Sequence, residues 1–548
     1  MIRPEAAGDE KYSDVMRVFK DLKEVRERYE STWEKINDLV LPRRSDFDWN
    51  PKKVKTPRKI YDPLPGYLAR KAADGLLGNT ISRSNVWFRI HASNPKVDEM
   101  RAFRKHIGEV EEALYAMLRK STVYEASNDG VMDAMTVGHT AVYREWHEGR
   151  LIYTARHPKE IYISENRHGK VDTVIRKFLM EAREIVKEYR EDGMVPERFL
   201  EEAKRNPYEL HPVIQLVRPR EDRNLDRIDK WNMPWESLHI LEKQGVHVRE
   251  SGYKRFPYPA VWRWRTNTGE AYARSPAWDA LPDIERLQEI AKTMTHYAQL
   301  SVQPPLQYPL EMKGRIDRRP DGMTPYTDPQ RRTYRLFESG GAYPLGQDII
   351  RGLRDQVSEA FYADVFTILS QNMDRDKTAT EVQAISGERT ALLAAIAERY
   401  TNEFTTPIIA DAYDIGVEEG LVPKPPEELA QYDMSVELEF LGPLAQNQKQ
   451  YFQNAGINAG LSFFATAAQM WPETLDEIDP HRFALRGARA AGIPESVLRS
   501  DRERKMIQEQ REKMMMEQMQ AQNMQQQASA YAQTQKAPEP GSPAEKMT

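Results

Sequence analysis

The stretch PAWDALPDIERLQEIAKTMTHYAQLSV, residues 276–302, has the apolar spacing of one helix face. The residues that recur every three or four positions are Ile284, Leu287, Ala291, Met294 and Ala298. At 1.5 Å per residue, a helix from Trp278 to Ser301 would be about 35 Å long. Pro304 and Pro305 would end it, because proline lacks the amide proton that a helix interior requires. The stretch therefore predicts a long, rod-like helix.

A second helical stretch, GQDIIRGLRDQVSEAFYADVFTIL, occupies residues 346–369 and has a similar length. Between the two, residues 304–344 are rich in proline, glycine and arginine and show no sustained period. Two long helices joined by a compact insertion predict a stalk with a small cap.

A third stretch, MDRDKTATEVQAISGERTALLAAIAERYTNEF, runs from Met373 to Phe404. It begins with four alternating charges and continues as an amphipathic helix. Thr378 and Glu381 form a capping box that marks the helix start. Pro407 is expected to bend or end this helix. The charged tetrad before the cap is expected to be a short loop.

The first half of the chain predicts a mixed α+β domain. Helical patterns cover 11–41, a segment starting near Pro65, and 101–137, whereas short β-rich runs separated by turns follow Gly138. One more strand is expected in MSVELEFLGPL, at 434–444. Residues 446–515 are again helical in pattern. The end of the chain is Gln/Met-rich and then Pro/Ser-rich, and its last ~20 residues are expected to be disordered.

Composition excludes several classes of protein. The 548 residues carry a formal charge of −5, which argues against coating nucleic acid through overall basicity. Cysteine is absent, so disulfides, thiolate zinc sites and cysteine nucleophiles are excluded. No signal peptide and no apolar run of the ~20 residues in a membrane span is found, so we expect a soluble protein without a membrane partner.

Catalytic motifs are missing from the sequence: it contains no phosphate-binding glycine loop, HExxH or GxSxG. His139, His147 and His157 have no recurring ligand spacing, so we predict no metal. The acidic pairs Glu111-Glu112 and Glu201-Glu202 fit a solvated helix face. We therefore expect no enzyme and no cofactor.

The aromatic run YPAVWRWRT, residues 258–266, allows two interpretations. Trp262 and Trp264 beside Arg263 and Arg265 are compatible with base stacking. Their period-two alternation is also typical of a strand whose tryptophans pack inward. We favour the core interpretation.

Several stretches, in order, resemble the portal (head-to-tail connector) proteins of T7-like short-tailed bacteriophages. They include the IYDPLPGYLARKAADGLLGNTISRSNVWFRI segment (60–90), the RHGKVDTVIRKFLM segment (167–180), VWRWRTNTGEAYARSPAWDALPDIERLQ (261–288) and GPLAQNQK (442–449). Two departures occur. Ala273 replaces the glycine of the usual Y-G-R-S-P, so that turn must avoid a glycine-only backbone angle. Gly442 stands where a small polar residue is usual.

The resemblance implies a predominantly helical α+β portal fold assembled as a ring. Its regions would be the wing (1–274, and 378–445 for its spine helix and strand), stem helix 1 (275–303), the clip (304–344), stem helix 2 (345–371), a channel loop (372–377), the crown (446–515) and a tail (516–548). The Met-rich end of the crown fits either a helical barrel or a floppy tail inside the capsid.

The same resemblance implies the function: a structural ring, usually a dodecamer, at one capsid vertex, through which double-stranded DNA is packaged and ejected. Its expected partners are the terminase packaging motor, the tail adaptor, and the major capsid and scaffolding proteins. It would reside in the virion after assembly in the host cytoplasm. The alternatives are a coiled-coil scaffold or adaptor, which would need sustained heptads, and a DNA-processing enzyme, which would need an acidic metal cluster.

Two sets of site residues follow from the resemblance. The channel loop would consist of Met373, Asp374, Arg375, Asp376 and Lys377; the alternative is that these charges only solvate a turn. Docking of the motor or tail would use the clip cations Lys313, Arg315, Arg318, Arg319, Arg331, Arg332 and Arg335. Salt bridges between subunits within the clip are the alternative for that cluster.

Overall fold

A computed structural model describes most of the chain. The described residues are 6–44, 47, 58–83, 85–192, 194–227, 229–302, 306–307, 310, 334–335, 342–363, 394–429, 432, 435–442, and short pieces between 506 and 520. The chain divides into two compact units, residues 1–448 and 449–548. The description below concerns the first unit.

Twelve helices can be followed in the described part of the first unit. They are α1 (Ala6–Val40), α2 (Leu64–Thr80), α3 (Pro95–Asp98), α4 (Arg101–Lys120), α5 (Val123–Thr136), α6 (Ala182–Tyr189), α7 (Glu197–Arg205), α8 (Pro276–Asp279), α9 (Leu281–Val302), α10 (Ala342–Ala360), α11 (Ala394–Tyr400) and α12 (Thr406–Glu418). A π-helical turn, Thr401–Thr405, joins α11 to α12.

The described strands form four antiparallel sheets. The strands are β1 (Phe88–Ala92), β2 (His139–His147), β3 (Arg150–Arg156), β4 (Ile161–Glu165), β5 (Val171–Glu181), β6 (Leu210–Pro219), β7 (Trp235–Leu241), β8 (Val246–Tyr253), β9 (Ala260–Arg263), β10 (Leu306–Gln307), β11 (Tyr334–Arg335) and β12 (Val436–Phe440). The sheet orders are β4-β5-β6-β7-β8, β3-β2-β9, β1-β12 and β10-β11. The predicted meander after Gly138 and the strand near 436 are confirmed.

The five-stranded sheet is buried on both faces. Its β6 strand alternates: Ile214 and Leu216 pack with Val15 and Phe19 of α1, whereas Val213 packs beneath α6 and α7. Successive side chains of a strand point to opposite faces, so one strand supplies both cores. Helix α1 is thereby fixed to the sheet.

A larger core joins the helices to the three-stranded sheet. Trp262 is fully buried and Trp264 is 2% exposed, and both belong to this core with Phe404 and Ile409. The core interpretation of the aromatic run is therefore confirmed. Arg263, between the two tryptophans, is also buried, which the alternation did not predict.

Two helix predictions involve prolines, and one of them needs correction. The single helix predicted from Trp278 is divided at Ala280, because Ser275 caps the short α8 and Pro282 begins a new first turn in α9. The interruption expected at Pro407 occurs just before it, where the α-helix ends at Tyr400. The π-helical turn precedes it and Pro407 then lies in the first turn of α12, where its missing amide proton is tolerated.

The turn that contains Ala273 lies close to Gly138, which has the glycine-type backbone angle. Ala273 has no positive φ, as predicted, whereas Gly138 has a φ of 101°. A Cβ at Gly138 would lie 2.5 Å from the Ala273 carbonyl oxygen. Glycine is required there by close approach as well as by backbone angle.

None of the described helices combines the length and the apolar character that crossing a bilayer requires.

Candidate functional site: the helical hairpin and the aromatic clasp

The predicted channel-loop residues Met373, Asp374, Arg375, Asp376 and Lys377 lie outside the described residues. So do the clip cations Lys313, Arg315, Arg318, Arg319, Arg331 and Arg332. Arg335 is placed by its backbone on β11, paired with Leu306 of β10. The structure therefore defines the elements that lead into these two segments.

Helices α9 and α10 form an antiparallel hairpin. Leu287 packs with Ile350 and Leu353, and farther along, Gly346 lies so close to the Met294 side chain that a Cβ would overlap it. The pairing continues beyond the helices, where Leu306 faces Arg335 and Gln307 faces Tyr334. Strands β10 and β11 therefore lie side by side just beyond the two helices.

Burial falls along this hairpin from one end to the other. Where it meets the body, Ile284 and Val357 are fully buried. At the far end, Leu345 is 64% and Val302 is 80% exposed. The far half of the hairpin therefore presents apolar side chains that the described part of the subunit leaves exposed.

A polar brace attaches the hairpin to the body at Asp62. Gln288 of α9 accepts hydrogen bonds from the backbone amides of Tyr61 and Asp62, at 2.8 and 3.1 Å. Its amide donates to the Asp62 carbonyl at 2.6 Å. From the second helix, Arg354 Nε donates to Asp62 Oδ2 at 3.0 Å. One buried segment thus holds both helices.

A cluster of rings, which we call the aromatic clasp, surrounds the end of β9. Its members are Trp262, Trp264, Tyr362, Tyr400 and Phe404. Trp262 meets Tyr400 edge-on at 4.8 Å between ring centroids, and Trp264 lies 6.2 Å from Tyr362. Such tilted contacts match the ring quadrupoles.

The clasp brings together both ends of the segment 364–393. On the upstream side, Arg265 donates to the Tyr362 hydroxyl at 2.5 Å. On the downstream side, Arg399 donates to Thr266 Oγ1 at 2.5 Å. Tyr362 has a φ of 55°, an uncommon left-handed conformation that turns the chain after α10. The predicted channel loop therefore lies within a segment whose two ends share one base.

Arg263 joins the clasp to the five-stranded sheet from inside the core. Its guanidinium donates to Glu165 at 2.7 Å, to Glu403 at 2.9 Å and to the Gly169 carbonyl at 2.7 Å. Glu403, held in the π-helical turn, also accepts from the Arg263 backbone amide. Burial by itself would lower the pKa of Arg263, but the bonds and charges of Glu403 and Glu165 outweigh it and raise the pKa.

Separate environments surround His139, His147 and His157. His139 is buried, 5.1 Å from the rings of both Trp33 and Tyr272. His157 accepts a hydrogen bond from the Lys159 backbone amide. His147 is exposed and lies near Glu148. None of these contacts is a metal-ligand arrangement.

Sequence reasoning missed two groupings. Arg263 was considered as a partner in base stacking, and nothing in the sequence indicated that two distant glutamates would meet it. Glu202, assigned to a solvated helix face, lies with Glu209 and His211 in a group whose side-chain ligand atoms are within 4.8 Å of one another. The available signal was the i, i+2 spacing of Glu209 and His211, which places both on one side of an extended chain.

Comparison with known proteins identifies the family to which the sequence is similar. The family model described as bacteriophage head to tail connecting protein matches residues 13–498. The chain is 28% identical over 507 residues to the probable portal protein of Bordetella phage BPP-1, covering 89% of each. It is 25% identical over 509 residues to the portal protein of Salmonella phage epsilon15, covering 90% of each. The resemblance seen in the sequence motifs is confirmed.

Proposed function

The chain belongs to the bacteriophage head to tail connecting protein family, and we propose that twelve copies form a ring at one capsid vertex through which double-stranded DNA passes. The family role is structural, joining head to tail. In the proposed ring, α9 and α10 are the stem, 304–344 is the clip, and the channel loop projects toward the axis. Assembly takes place in the host cytoplasm, with scaffolding and major capsid proteins as partners.

The observation that carries the proposal is the common base of segment 364–393. Both ends of that segment attach to residues 264–266, so the segment leaves the body and returns to the same place. This common base supports the proposal that the channel loop projects from the body. Its position directly after the second hairpin helix supports a loop beside the stem.

The exposed apolar residues of the hairpin support assembly. Leu300, Val302, Leu345 and Ile349 are 39–80% exposed. Burying apolar surface is favourable by roughly 25 cal/mol per Å². In a closed ring, each subunit offers two different surfaces to its neighbours, and neighbouring hairpins side by side would cover these residues.

The charge pattern of the proposed channel loop is compatible with DNA sliding through a channel. Asp374 and Asp376 balance Arg375 and Lys377, so a ring of these loops carries no net charge. Phosphate contacts then remain local, whereas an unbalanced belt of cations would hold DNA strongly and in a salt-dependent way. In the clip, the predicted cations provide a basic surface for an acidic face of the packaging motor or tail adaptor.

Electron microscopy of the purified protein under assembly conditions tests the ring. We expect discrete rings with a central hole. A compact monomer without a pore would contradict the proposed assembly.

The loop is tested separately in assembled particles. The double variant Arg375→Ala/Lys377→Ala is expected to form rings and to change the amount of DNA retained after packaging. Arg101→Ala/Lys105→Ala is a matched control, because it removes the same charge from exposed positions on α4. Rings with unchanged DNA retention in both variants would overturn the channel-loop assignment and leave the ring itself intact.

A further inference from the structure

One group of metal-ligating side chains lies in the wing, away from the hairpin. Glu202 is on the last turns of α7, Glu209 precedes β6, and His211 is on β6. Backbone hydrogen bonds define the turn that connects α7 to β6. Asn206 N donates to the Glu202 carbonyl at 2.9 Å, Glu209 N donates to the Asn206 carbonyl at 3.1 Å, and Ala182 N donates to the Glu209 carbonyl at 2.9 Å.

The side chains of this group converge. One carboxylate oxygen from each glutamate and one ring nitrogen of His211 all lie within 4.8 Å of one another. Both glutamates are at least partly exposed, whereas His211 is only 1% exposed. The buried Nε2 of His211 has no hydrogen-bond partner among the described residues. A buried polar atom of this kind ordinarily has a partner.

The surroundings of His211 fix its ring in place. Its Nδ1 lies 3.4 Å from the side-chain amide of Gln244, and the ring meets Phe199 edge-on at 5.0 Å. The atom of Gln244 nearest Nδ1 is its amide nitrogen, and its Oε1 has no hydrogen-bond partner among the described residues. Exchanging these two amide atoms would let Nδ1 donate to Oε1 and would leave the Nε2 lone pair free for a ligand. This is the arrangement by which proteins orient a ligating histidine.

We propose that Glu202, Glu209 and His211 bind a divalent first-row transition-metal cation, represented experimentally by Zn²⁺. One imidazole nitrogen with two carboxylate oxygens is a donor set that suits such ions and leaves a coordination position for water. The two carboxylates supply two negative charges that a divalent cation neutralises. The bound ion would connect α7 to β6 and so fasten one end of the five-stranded sheet.

Zn²⁺ titration of the full-length chain, freed of metal with a chelator, tests the proposal by calorimetry and by thermal unfolding. We expect saturable binding and a Zn²⁺-dependent rise in Tm. Glu209→Gln and Glu202→Gln should each weaken binding by at least about tenfold, because each removes one ligand. Glu201→Gln is the matched control: it removes the same charge one residue away, on the same helix.

Two results would overturn the inference. One is the absence of saturable Zn²⁺ binding by the unaltered protein. The other is equal affinity in Glu201→Gln, Glu202→Gln and Glu209→Gln, which would place the bound ion elsewhere on the chain. Thermal unfolding without metal shows that each variant is folded, so a loss of binding is not confused with a loss of structure.

Discussion

The region proposed as the wing and the far half of the helical hairpin differ in how completely their apolar residues are buried. In the wing, the sheet is covered on both faces and even Arg263 is buried among partners. In the far half of the hairpin, Val302 and Leu345 are largely exposed. The difference teaches that the wing region completes its core within one subunit, whereas in the proposed ring neighbouring subunits would cover the far half of the hairpin. Substitutions in one region or the other should therefore have effects of different size.

Removing the buried cation of the wing should have the largest effect. Arg263→Ala removes the buried guanidinium that Glu165 and Glu403 share and leaves Glu403 with Arg399 alone, 3.5 Å away. Breaking a buried pair in this way costs about 3–5 kcal/mol. We expect a loss of that size in the free energy of unfolding, measured by urea denaturation of the unassembled subunit.

Arg286→Ala is the control for Arg263, because Arg286 is 68% exposed and its nearest carboxylate, on Asp283, is 4.0 Å away. It should change stability by less than about 0.5 kcal/mol. Similar losses in the two variants would mean that the buried cluster does not stabilise the wing.

The body end of the hairpin should show the next largest effect. Leu353 is 4% exposed and packs with Leu287 and Ile350. Leu353→Ala removes this packing and leaves a cavity, at a cost of about 2–5 kcal/mol. The expected result is a lower urea midpoint for the subunit. An unchanged midpoint would show that α9 and α10 are not packed against each other before assembly.

Acid should weaken the wing through its buried histidines. Burial, with the charges of Arg26 and Arg263, lowers the pKa of His139 from 6.5 to about 3. Unfolding then takes up a proton, so the stabilisation is complete above pH 6.5 and is lost as the pH falls toward 3. At pH 5 the expected loss is about 2 kcal/mol.

The measurement is the change in unfolding free energy between pH 7 and pH 5. His139→Gln should lose less stability over this interval than the unaltered protein. His147→Gln, at an exposed histidine, should keep the original pH dependence. An identical pH dependence in all three proteins would remove His139 as the cause.

The smallest effect on the subunit is expected at the far end of the hairpin. Leu345 is 64% exposed, so Leu345→Ala should change subunit stability by less than about 0.5 kcal/mol. Under the proposed function, the same change weakens assembly, because the neighbour loses an apolar contact. Sedimentation should show a smaller assembled fraction than for the unaltered protein. Equal assembly would show that this position is not part of a subunit interface.

Sequence patterns predicted the local elements well where a single period was sustained. The amphipathic helices, the meander after Gly138 and the inward packing of Trp262 all appear in the structure. Both prolines in helical context were harder to interpret. Pro282 and Pro407 each begin a helical turn, and whether a proline ends a helix or opens the next one depends on the hydrogen bonds of the preceding turn.

The candidate site was less predictable than the fold. The sequence indicated which segments are expected to form the channel loop and the clip. It did not indicate which residues contact the ends of those segments. Arg263 meets Glu165 and Glu403 from positions 98 and 140 residues away. A charged residue in a buried ion pair and a charged residue in solvent can occupy the same positions in a helix or strand pattern. The pattern therefore does not show which charged residues will pair.

By itself, the sequence determined the family, the order of helices and strands, and the two long helices with an insertion between them. These properties follow from the spacing of residue types within each stretch of the chain. Only the tertiary structure decided that Tyr362 and Arg399 return to one strand end, that the burial of α9 and α10 falls along their length, and that two glutamates and a histidine converge. Those arrangements arise from chain segments far apart in sequence or from the geometry of a turn, and apolar periodicity does not encode either.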